Sequence, residues 1–91
     1  MRVTNMLSPR TGSPVANQFI IVADDGTRFF QSYDSVIVKK DYDGRVWLDS
    51  FYWDYSRTTS KYRNEFLGET TKQTQAKIDS GVYHLTDLNG A

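Results

Sequence analysis

The chain has 91 residues, with 11 Lys or Arg against 11 Asp or Glu and no cysteine. Zero formal net charge excludes a strongly basic polyanion binder and a strongly acidic nucleic-acid mimic, and the missing thiols exclude disulfide frameworks and thiolate metal centres. A chain this short buries only about 60–65% of its unfolded surface, so residues 1–91 are expected to share one core as a single small domain.

In chain order, residues 1–17 are rich in Ser, Pro, Gly, Thr and Asn and predict an irregular N-terminal arm. It should begin strand-like and continue as a loop, with Val3, Met6 and Leu7 available to pin it down. Residues 18–49 then predict a β-meander: "QFIIVA", the turn "DDG", "TRFFQSY", "SVIVKK", the turn "DYDG" and "RVWLD". Successive strand residues point to opposite faces, so Phe19 and Ile21 oppose Ile20 and Val22, Phe29 opposes Phe30, and Trp47 opposes Val46 and Leu48. Neither face is polar, which means that helices covering one face leave the second to the arm, to sheet coiling or to a partner.

A helix is predicted over residues 56–67, capped by Ser56 or Thr58, stopped by Gly68, and burying Tyr55, Thr59, Tyr62 and Phe66. Arg57, Lys61 and Asn64 fall on its opposite side. A shorter helix over residues 70–80 has the capping-box spacing of Thr70 and Gln73, ends at Gly81 and offers Ala76 and Ile78 for contact. Residues 82–88 read as a closing strand. The expected fold class is α+β: an antiparallel four- to five-stranded meander with two short helices packed on one face.

Little here supports catalysis, and the chain is expected not to be an enzyme and to need no cofactor. His84 is the sole histidine, which excludes a two-histidine zinc site, and no strand-turn-helix elbow presents a serine nucleophile to it. Asp41, Asp43, Asp49 and Asp54 cluster around the second hairpin, but "DYDGRVWLD" lacks the ligand series of a calcium loop and Asp-Gly is ordinary turn chemistry. No metal site is expected.

Binding is better supported. Thirteen residues are Phe, Tyr or Trp, and the segment "WLDSFYWDY" concentrates five of them, more than a small core easily surrounds. Beside it stand Arg57, Lys61 and Arg63 among hydroxyls, near a helix N-terminus. The candidate partner-binding residues are therefore Arg57, Lys61, Arg63, Tyr52, Trp53 and Tyr55. The plainer account is a solvated helix face with a Lys61–Glu65 pair, and aromatics that fill the core.

The segments "SPRTGSPVANQFII", "FFQSYDSVI", "WDYSRTTSKYRNEFLGET" and "GVYHLTDLN" together resemble a group of small proteins encoded by bacteriophages and prophages. The likeness covers nearly the whole chain, with Asn17-Gln18-Phe19, Gln31-Ser32-Tyr33 and Trp53-Asp54-Tyr55-Ser56 its most distinctive pieces. It carries no catalytic residues with it and implies a viral accessory product acting in the cytoplasm of an infected bacterium. By analogy with anti-CRISPR proteins, such a product would bind a host protein stoichiometrically and inhibit it.

Two alternatives stand beside this reading. One is a single-stranded nucleic-acid-binding module in which Trp47 or Tyr52 stacks on bases while Arg57 and Lys61 meet phosphates. The other is a nucleotide-messenger sponge with a pocket between subunits, which would need a homodimer. No run reaches the roughly 18 apolar residues of a membrane span, and the opening lacks the apolar segment of a secretion signal, so a soluble intracellular protein without a membrane partner is expected.

Overall fold

The computed structural model describes residues 1–90, so the last position of the expected domain lies outside the described residues. Six strands and two helices follow in the order β1 (Arg2–Leu7), β2 (Pro14–Val22), β3 (Arg28–Ser32), β4 (Ser35–Lys40), β5 (Val46–Asp49), α1 (Arg57–Leu67), α2 (Thr71–Asp79) and β6 (His84–Thr86). The strands form one sheet in sequence order. The fold class is α+β, and the sheet differs from the expected one in two ways.

First, residues 1–17 are not an irregular arm. β1 pairs antiparallel with β2 from Arg2 opposite Val22 to Leu7 opposite Pro14. The Ser, Pro and Gly content belongs to the hairpin between them, where Ser8 Oγ accepts from the N–H groups of Arg10 and Thr11 and Gly12 has a φ of 74°. β2 thus begins four residues before Gln18, and its first half pairs with β1 alone. Second, the closing strand contracts from 82–88 to His84–Thr86 and runs parallel to β5. Two helices intervene before it, and a helical crossover returns the chain to the same sheet end, where only parallel pairing is available.

On the core face, cross-strand partners Ile20, Phe30, Val38 and Leu48 form one row beneath the helices. Phe30, Val38 and Leu48 are fully buried, and Tyr62, Phe66, Leu67 and Ile78 of the helices pack on them. Phe30 stacks on Phe66 with ring centroids 6.0 Å apart. Pairing slips between Phe30–Val38 and Gln31–Val36, which makes Ile37 the extra residue of a bulge and explains why Ile37 and Val38 are both buried despite being neighbours.

Helix α1 starts where Ser56 caps it, accepting from Thr59 N–H, and stops at Gly68, which has a φ of 70°. Thr59 and Tyr62 are buried as the periodicity requires and Phe66 is half-buried, but Tyr55 lies before the helix and points outward. α2 carries the expected capping box of Thr70 and Gln73. Its buried residue is Thr74, not Ala76, because Thr74 donates to the Glu69 carboxylate while Ala76 faces out.

The main departure is Arg63. It is 0% exposed, although the sequence places it in a cationic contact surface. One guanidinium nitrogen donates to the Trp53 carbonyl, to Asp54 Oδ1 (3.3 Å) and to Ser60 Oγ (3.4 Å). The other donates to Asn64 Oδ1 (3.0 Å) and Thr71 Oγ1 (2.8 Å), and the plane lies 5.0 Å from the centre of the Trp53 ring. Burial pulls its pKa down while Asp54 opposes that shift. Five acceptors in one rigid fork tie the β5–α1 loop, α1 and the start of α2 together, which is why a planar guanidinium occupies the core here.

Gln18 is the other buried polar side chain of note: it stands opposite Ser32, fully buried, with neither amide atom hydrogen-bonded within the protein.

These two residues give opposite expectations in urea unfolding. Arg63→Ala takes the guanidinium donor from the Trp53 carbonyl and leaves Asp54 without its buried partner, and should lower stability by about 3 kcal/mol, whereas exposed Arg57→Ala should change it by no more than about 0.5 kcal/mol. Gln18→Met removes an unsatisfied amide at similar volume and should raise stability by about 1 kcal/mol.

Candidate functional site

β5 ends at Asp49, and there the chain must turn away from the sheet. The Asp49 carboxylate is buried and collects four donors: Phe51 N–H (3.1 Å) and Tyr52 N–H (2.8 Å) on Oδ2, Leu88 N–H (2.9 Å) and Asn89 Nδ2 (3.0 Å) on Oδ1. The Asn89 amide also makes a two-way pair with the Val36 backbone, accepting from its N–H (2.7 Å) and donating to its carbonyl (3.0 Å). Asn89 thereby extends the edge of β4 past the point where β5 leaves it.

This anchoring projects an aromatic loop, residues 50–56, from the end of the sheet. Phe51 and Tyr52 meet edge to face at 4.7 Å, and Tyr52 and Tyr55 at 5.2 Å. Phe51 is 71% exposed and Tyr55 64%. The β3–β4 hairpin tip adds Tyr33, 54% exposed, whose φ of 54° lies in the left-handed region that favours glycine. A non-glycine residue held there costs about 1–2 kcal/mol, so a large ring is kept in place against its backbone preference.

Between tip and loop lies a cavity of about 410 Å³, lined by Tyr33, Tyr52 and Tyr55, by Asp34 and by the hydroxyls of Ser32, Ser35, Ser56 and Thr59. Its floor is ordered: Ser32 Oγ and Thr59 Oγ1 are 3.0 Å apart and Ser56 Oγ donates to Thr59 Oγ1 at 3.1 Å. Asp34 makes no hydrogen bond or ion pair among the described residues. On the far side of Tyr52 a second hollow of about 340 Å³ is lined by Ser50, Phe51, Asp87 and Asn89.

The six residues singled out from the sequence therefore separate. Tyr52 and Tyr55 are brought together at the cavity. Trp53 is half-buried against Arg63 and presents only part of its ring, and Arg63 itself is in the core and presents nothing. Arg57 and Lys61 are exposed on α1, Lys61 lying 5.4 Å from the Tyr62 ring centre and not paired with Glu65. Arg63 was missed as a core residue because helical periodicity puts it next to the buried stripe while its charge argues for solvent. Phe51, Tyr33 and Asp34 belong to the site as well; only the aromatic density around Phe51 signalled it in the sequence.

The clustered carboxylates have structural duties. Asp41 accepts from Arg45 N–H (2.9 Å), Asp43 pairs with Arg45 (3.0 Å), and Asp54 accepts from Ser60 (2.6 Å) and Arg63. Among the described residues no group of three His, Asp or Glu side chains comes together in a metal-holding arrangement. No helix is long and apolar enough to cross a membrane.

The fold and this end of it define an α+β domain with a concavity walled by three phenol rings and one carboxylate, Asp34. The chain belongs to a family of unknown function, DUF8033, which matches residues 1–81. No curated protein and no solved structure matches it. β6 and Asn89, which complete the anchor at Asp49, fall after the matched region.

The anchor sets a pH dependence. Burial raises the Asp49 pKa, but its four donors outweigh burial and hold it below the ordinary carboxylate range. Burial likewise raises Glu69, and Lys77, Thr74 and Tyr83 together bring it below that range. A carboxylate depressed in the folded state contributes stability above its unfolded pKa and loses it as pH falls through the folded value. Unfolding free energy from urea titrations should be level between neutrality and about pH 5 and fall below about pH 4. Asp49→Asn should cost about 1–3 kcal/mol at pH 7 and flatten the acid limb.

Proposed function

We propose that this protein is a non-catalytic phage accessory protein that attaches stoichiometrically to a host protein, as an anti-CRISPR-type inhibitor does, through the aromatic end of its sheet. The bacteriophage resemblance of the "ANQF", "FQSY" and "WDYSRTTSKYR" segments supports the setting, the cytoplasm of an infected bacterium. The observation that carries the binding reading is the pair of exposed rings Tyr33 and Tyr55 at an ordered cavity, with exposed Phe51 beside the neighbouring hollow. Large aromatic side chains at a surface, with few rotatable bonds, give contact area at low entropic cost and dominate interface energetics.

The cavity also supports a reading of what the partner presents. Three phenol rings and the Asp34 carboxylate favour a cationic side chain, by ring-face attraction and by direct pairing. The partner is therefore read as a protein segment that inserts an arginine or lysine between Tyr33 and Tyr55, with Arg57 and Lys61 on α1 meeting acidic groups at the rim.

Tyr33 separates binding from folding. Tyr33→Gly relieves the left-handed backbone while removing the ring, so its unfolding free energy should stay within about 1 kcal/mol of the parent. In affinity capture from phage-sensitive bacterial lysate followed by mass spectrometry, the parent should retain a specific host protein that Tyr33→Gly and Tyr55→Ala both lose. Retention of the same protein by both variants would refute this site.

A further inference from the structure

The face of the sheet away from the helices is covered by nothing in the described residues. Its pairing register defines one continuous row across all six strands: Val3, Ile21, Phe29, Lys39, Trp47 and His84. A second, shorter row holds Asn5, Phe19, Gln31 and Val36. None of these ten side chains is fully buried. Neither row contains a carboxylate, and the Lys39 ammonium lies 5.1 Å from the Trp47 ring centre. The helices took only the opposite face because Tyr62, Phe66 and Ile78 pack with Phe30, Val38 and Leu48 there.

We infer that this face binds a second copy of the same chain, sheet to sheet. A two-fold axis parallel to the strands and between β3 and β4 sets each strand over the one in the mirror position: β3 over β4 of the copy, β2 over β5, β1 over β6. The first row then pairs with itself in a complementary way. Phe29 meets Lys39, Ile21 meets Trp47 and Val3 meets His84, so each lysine lies between two aromatic rings and the two lysines are not forced together. A row of one charge and mostly apolar groups needs no acidic partner when it can close on itself in this manner. The same row suits single-stranded nucleic acid poorly, since one full cation neutralises little phosphate and Val3 and Ile21 offer no stacking surface.

Six strands at about 4.8 Å and some five residues along each give a footprint roughly 25–30 Å by 17 Å. That lies near the lower bound of stable interfaces, so the dimer should be of micromolar strength. The aromatic end is outside this footprint, which leaves the dimer with two outward-facing copies of it.

Sedimentation velocity on the full chain over a range of concentration tests the inference. The mass should rise from 10.5 kDa towards twice that value, and tryptophan emission should shift to the blue in step, a change that Trp47→Phe removes and Trp53 does not report. Ile21→Lys places a second cation at the Trp47 ring of the copy, where Lys39 of that copy already lies, and should keep the chain monomeric with an unchanged circular dichroism spectrum. Lys39→Glu, a charge reversal at a half-buried position of the open face that does not touch the core, should weaken association at least about tenfold. Tyr33→Gly should dimerise like the parent, so loss of the host partner and loss of the dimer are separate results. A parent chain that stays monomeric throughout, a dimer indifferent to both face variants, or a monomer whose Trp47 fluorescence is saturably quenched by oligothymidylate would each overturn it.

Discussion

The buried carboxylate of Asp49 is the constraint on which the rest of this structure depends. It stands where the meander ends, and its four donors come from the loop that leaves the sheet and from the tail that returns to it. An unpaired charge at this depth would cost several kcal/mol, so the carboxylate is held only if both segments come back to it. One residue thus sets the exit direction of the aromatic loop, the site of β6 and the position of Asn89 against the edge of β4.

Arg63 does from the helix side what Asp49 does from the sheet side. Its fork reaches the Trp53 carbonyl, Asp54, Ser60, Asn64 and Thr71, so the far end of the aromatic loop is tied to both helices. Between these two charged anchors, Phe51, Tyr52 and Tyr55 have little freedom, and rings that would otherwise collapse onto the core remain outside it. A preorganised loop of this kind loses less entropy on binding than a mobile one. The molecule consequently has two separate apolar surfaces, the aromatic end and the open sheet face, related only through the sheet that supports both.

Much of the fold was legible. The hairpins at "DDG" and "DYDG", the Ser56 cap, the Gly68 stop and the capping box of α2 follow from local chemistry, and the structure has each of them. Face assignment was legible in β3 and β5, where Phe29 and Trp47 lie on the open side and Phe30, Val46 and Leu48 on the covered side, but not in β4, where the bulge breaks the alternation and parts Val36 from Val38. Of residues 1–17 only the strand-like start was legible, because Ser, Pro and Gly at the hairpin dominate the composition, and the strand from Pro14 onward is decided by its register with β1. The candidate site was legible in part: Tyr52 and Tyr55 are there, while Arg63 and Trp53 turned inward to each other.

What the sequence determined by itself is whatever is settled within one or two turns of chain: strand parity, turn positions, helix caps and the surplus of aromatic side chains. Those are matters of backbone preference and of side-chain periodicity, which act between near neighbours. Only the tertiary structure decided that a sixth strand pairs in parallel, that an arginine belongs in the core, and that Tyr33 joins Tyr55 across a cavity. Each of these joins residues distant in the chain, and its free energy comes from desolvation and hydrogen bonding that exist only once those distant segments have met.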